Sequence, residues 1–89
     1  MIIVKQDRKT FYNWDNVVCV YISRISKTEI LLDSTTASEE PLGDYKNAEN
    51  AKAAFEKLIE NISKEIPLVI VRTDEEIEKN IHQEDGNSN

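Results

Sequence analysis

Asn47-Ala-Glu-Asn-Ala-Lys-Ala-Ala-Phe-Glu-Lys-Leu-Ile-Glu-Asn-Ile-Ser-Lys-Glu65 decides the fold class of this 89-residue chain. Ala48, Ala51, Phe55, Leu58, Ile59 and Ile62 recur on one face of a 3.6-residue period, which is the pattern of an amphipathic helix. Asn47 stands where an N-cap belongs, and Glu49 puts an acid in the first turn, where the helix dipole favours it. Glu60 and Lys64 are spaced as an i,i+4 ion pair. Pro67 biases Ile66 away from helical angles, so the sequence predicts a helix over 47–65.

Upstream of it the pattern changes to strands. Ile2, Ile3 and Val4 precede the polar Gln6-Asp-Arg-Lys9, which turns the chain into Thr10-Phe-Tyr-Asn-Trp14 as a first hairpin. Val17-Val-Cys-Val-Tyr-Ile22 is the strongest strand signal, dominated by β-branched and aromatic residues. Thr28 to Thr35 and a short strand from Pro41 to Tyr45 follow, with Pro41 marking an edge and Gly43 a turn or bulge. Downstream, Pro67-Leu-Val-Ile-Val71 reads as a buried or interfacial strand, and Thr73-Asp-Glu-Glu76 has the form of a capping box. The short helix this box starts carries Ile77 and Ile81 and needs a surface to dock on. The expected fold is therefore α+β, an antiparallel meander of four or five short strands packed by one long amphipathic helix, then a short strand and a short C-terminal helix. Residues 1–82 form one domain in this reading, and 83–89, which contain no apolar residue, form a disordered polar tail.

Composition narrows the function classes. Residues 1–32 carry a net +2 and residues 33–89 a net −8, within a total of −6. Such an acidic balance disfavours direct nucleic-acid binding, whose affinity comes largely from released phosphate counterions. The longest uninterrupted apolar run is the six residues from Val17 to Ile22, far below the ~20 needed to span a bilayer. Charges begin at Lys5, too soon for a secretory signal, so the expected location is the cytoplasm. A single cysteine excludes an internal disulfide and any cysteine-based metal cluster.

Chemistry finds little to work with. The one histidine, His82, sits beside the polar tail, and Cys19 lies in the most apolar strand, where a thiol behaves as a small hydrophobe with a raised pKa. With only Gly43 and Gly86, no phosphate-cradling loop can be built. Asp15, Asp33 and Asp44 are the acids that an acid/base mechanism would need to converge, and their loop or strand-end positions are equally those of ordinary turn residues. Glu39-Glu40 and Glu75-Glu76-Glu78 lack the spacing of a calcium loop. No catalytic residue, metal or cofactor is expected.

The aromatic residues carry the remaining signal. Strand alternation places Tyr12 and Trp14 on one face and Phe11 on the other, and 17–22 is apolar on both faces. One helix cannot cover so much strand surface, so either residues 67–82 or a second subunit must. Tyr12, Trp14, Tyr21, Ile77 and Ile81 are the expected partner-binding residues. The expectation is a small non-catalytic interaction module, homodimeric; the alternative is an acidic decoy that occupies the nucleic-acid-binding surface of a phage-defence or restriction protein.

From Pro41 through the helix the chain resembles short proteins of low-GC Gram-positive bacteria and their phages, in which an L-G-x-Y segment leads into an alanine-containing amphipathic helix. Leu42, Gly43 and Tyr45 match the segment, and Ala51, Phe55 and Leu58 the helix. Eleven Ile, eight Asn and eight Lys fit an AT-rich genome of that kind. The resemblance implies a small meander joined to one helix and assigns no activity to any residue.

Overall fold

A computed structural model describes residues 1–79. The expected tail at 83–89, and with it Ile81 and His82, lie outside the described residues. The chain forms strands β1 (Ile2–Val4), β2 (Phe11–Asn13), β3 (Val17–Ile22), β4 (Glu29–Ser34) and β5 (Glu40–Asp44), then helix α1 (Ala48–Ser63) and strand β6 (Leu68–Ile70). Residues 74–79 are helical and are called α2. The α+β class expected from the sequence is the one observed.

The strands divide into two three-stranded sheets, β2-β1-β6 and β3-β4-β5. A 3-10 turn at Trp14–Asn16 makes the division, because Asn13 caps it with a side-chain bond to the Asp15 amide and swings the chain out of the first sheet. β1 pairs antiparallel with β2 and parallel with β6. The segment after Pro67 thus extends the first sheet as its third strand. It does not lie over an outer face, one of the two ways the sequence offers to cover the excess apolar surface.

α1 packs against β3, β4 and β6, and so lies across both sheets. Its Ala51, Ala54 and Leu58 meet Ile3 and Val69 of the first sheet and Ile30, Leu32 and Leu42 of the second in one core. Asn47 caps the helix by accepting from the Asn50 amide at 2.7 Å. At the other end the Ile66 amide donates to Asn61 and the Glu65 amide to Ile62, the paired bonds of a Schellman motif. Glu65 holds the left-handed position there, at φ 56°, where glycine is the usual residue.

Two features fasten the sheets and α2 together. Gln6 donates its amide to Leu42 O at 2.8 Å, and its side chain accepts from Asp44 N–H and donates to both Asp44 O and Arg72 O. The expected capping box forms: Thr73 Oγ1 accepts from the Glu76 amide, and the Thr73 amide donates to the Glu76 carboxylate. Gly43 sits at a bulge in β5, opposite Ile30, where a Cβ would meet Tyr45 Oη at 2.9 Å and Val71 Cγ1 at 3.0 Å. Close approach, not an unusual φ, is what requires glycine there.

Candidate interaction surfaces

The registers assign each side chain to a face. In the first sheet Ile3, Tyr12 and Val69 are mutually aligned and point to the core. The other face then carries the rows Phe11, Val4, Ile70 and Asn13, Ile2, Leu68. Five of these six side chains are apolar, yet Phe11 is 65% and Leu68 52% exposed. Phe11, Leu68 and Ile70 together leave roughly 300 Å² of apolar surface open, the size at which the largest patch of a monomer is often functional.

The second sheet presents a different outer face. A bulge at Val18 shifts the register between Val17 and Cys19, so that Val17, Val20 and Ile22 pack on the core side. Cys19 and Tyr21 are left on the outer side, where both donate to Asp33, Tyr21 Oη at 3.1 Å and Cys19 Sγ at 3.5 Å. The Glu39 amide also donates to Asp33, at 2.8 Å, and this bond does most to hold the Asp33 carboxyl below the ordinary carboxylate range. Loss of water around the Cys19 thiol, reinforced by the Asp33 carboxylate, pushes its pKa up. Cys19 is therefore an exposed, unactivated thiol and not the buried hydrophobe its strand suggested.

Between β3 and α1 lies an apolar groove of about 290 Å³, lined by Trp14, Val20, Phe55, Leu58, Ile59, Ile62 and Ser63. Ile59 is half exposed along it. The two edges of the second sheet also differ. Gln6 closes β5 as described above, whereas among the described residues no backbone bond from outside the β3–β4 ladder reaches Val18, Val20 or Ile22.

The residues expected to bind a partner are dispersed by this geometry. Tyr12 is half-buried on the core side, its hydroxyl 3.4 Å from Glu40 Oε2, and desolvation followed by the Glu40 charge raises its pKa. Trp14 walls the apolar groove, and Tyr21 stands half-buried in the Asp33 network. Ile77 must be reassigned: it is 4% exposed and belongs to the core, because the Gln6 and Thr73 bonds dock α2 on its own chain. Ile81 lies outside the described residues. Phe11, Leu68, Ile70 and Ile59 are exposed but stand outside that expected set, although the parity of Phe11 relative to Tyr12 puts it on the opposite face and 67–71 reads as a buried or interfacial strand.

The three acids do not converge: Asp33 lies in β4, Asp44 ends β5 and Asp15 is in the 3-10 turn. Asp44 pairs with Glu29, and Asp33 stands four residues further along β4, about 13 Å away. Among the described residues no group of three or more His, Cys, Asp and Glu side chains is placed to hold a metal ion, and no helix is long and apolar enough to cross a membrane. Comparison with known protein families, curated proteins and solved structures finds nothing that matches this chain.

Proposed function

We propose that this chain is a small non-catalytic protein-interaction module that associates with a second copy of itself. The observation that supports it is uncovered apolar strand surface. α1 closes the inner faces of both sheets, but Phe11, Leu68 and Ile70 on the outer face of β2-β1-β6, and Val18 on β3 with Ile59 beside the groove, are left in water. A core this small gains stability when such surface is shared with a partner.

The decoy reading asks for negative charge concentrated on one continuous face. Arg8 pairs with Glu76, Lys46 with Glu78, and Lys57 and Lys64 with Glu60, which disperses that charge. The interaction module is therefore the reading carried forward. Light scattering during size exclusion tests it: the proposal expects a mass rising with concentration toward twice the 10.2 kDa of one chain. A mass of one chain up to high micromolar concentrations contradicts it.

A further inference from the structure

Among the described residues no strand covers the outer edge of β3, and that edge has the character of a pairing surface. The Ser23 amide bonds Glu29 O at 2.9 Å, and strand alternation from that bond turns the N–H and C=O groups of Val20 and Ile22 away from β4. Natural edge strands are ordinarily blunted by charge, proline or a bulge. β3 contains no charged residue and no proline, and its bulge at Val18 affects only the N-terminal end. The opposite edge, β5, is shut by Gln6 through both backbone and side chain.

We propose that two copies of the chain pair antiparallel along β3, with Val20 near the two-fold axis, to give one six-stranded sheet. This rests on the self-association reading above and assigns it a surface. Charge selects a second copy in this orientation. Asp15 lies just before β3 and Arg24 just after it, so antiparallel pairing brings the Asp15 end of each copy to the Arg24 end of the other, and parallel pairing stacks like charges. The groove beside Val20 points the same way. A two-fold axis normal to the sheet keeps both α1 helices on one side, so the Phe55 and Ile59 wall of each copy faces that of the other. Backbone pairing and apolar burial then occur at one interface, and the Phe11 face is the rival surface for self-association.

Cys19, the only cysteine, is exposed on β3 and provides the probe. A nitroxide spin label there is expected to show dipolar broadening, because the two Cys19 Cα atoms come within about 8 Å across the axis. Dilution removes the broadening, and so does Val18→Lys, which weakens the dimer by about tenfold or more by charging the edge. Val18 is 67% exposed, so the variant keeps its fold, checked by circular dichroism. A doubled mass without broadening, abolished by Phe11→Asp, overturns edge pairing and leaves the self-association reading standing. A single-chain mass at every concentration overturns both.

Discussion

Replacing Gln6 by alanine tests whether the two sheets and α2 are fastened by one side chain. Gln6 makes three side-chain bonds, accepting from Asp44 N–H at 2.9 Å and donating to Asp44 O and Arg72 O, each at 3.1 Å. A hydrogen bond contributes about 0.5–1.5 kcal/mol net, and the Asp44 groups regain water when the side chain is removed. The half-buried Arg72 carbonyl regains less, although Tyr45 Oη still donates to it. The loss from Gln6→Ala is therefore about 2–3 kcal/mol, which in a domain of this size lowers the melting temperature by roughly 8–24 °C. Thermal and urea unfolding, followed by far-ultraviolet circular dichroism and Trp14 fluorescence, read this directly. Gln6→Glu retains the acceptor but turns a carboxylate toward two carbonyls, and should cost at least as much as alanine. A melting point within a few degrees of the parent for both variants would refute the fastening role.

Gly43→Ala should destabilise by about 1–3 kcal/mol in urea unfolding, because its Cβ meets Tyr45 and Val71 inside contact distance in a packed region. Glu65→Gly should stabilise by about 0.5–1 kcal/mol, since it relieves a non-glycine residue in the left-handed position that ends α1. Asn50 is buried and donates to Asp74 at 2.8 Å and to Glu78 at 3.1 Å, so Asn50→Leu should cost about 2 kcal/mol and raise amide exchange in 74–79. Partial burial works against the Glu76 charge, but bonds from Arg8 and Thr73 outweigh it and hold the carboxyl below its ordinary range. Its contribution is thus full above the unfolded carboxylate pKa and is lost as pH falls through the folded one; Glu76→Gln should flatten the acid limb of urea midpoint against pH, and an unchanged limb would count against the pairing.

Much of this fold could be read from local chemistry. The 3.6-residue stripe from Ala48 to Ile62, the Asn47 cap and the Thr73 to Glu76 box each act within a few residues of chain, and each formed as expected. Partition of the strands into two sheets could not be read in that way. It depends on the turn at Trp14–Asn16 and on parallel pairing of β1 with β6, a contact between chain segments more than sixty residues apart. The bulge at Val18 had a similar effect on the candidate surface, since a one-residue shift moved Val17 to the core side and left Cys19 outside. Ile77 reads as a partner contact because α2 has no local support, and the Gln6 bond to Arg72 that docks it on its own chain links residues with no local relation. The excess of apolar strand surface was legible from composition and alternation; its location required the registers.

Hydrogen exchange of the β3 amides at low and at high protein concentration reads the edge pairing itself. Pairing along β3 makes protection of Val20 and Ile22 rise with concentration, with no comparable change at β5, whose edge Gln6 already closes. Exchange at Val20 and Ile22 that is fast and independent of concentration would contradict it.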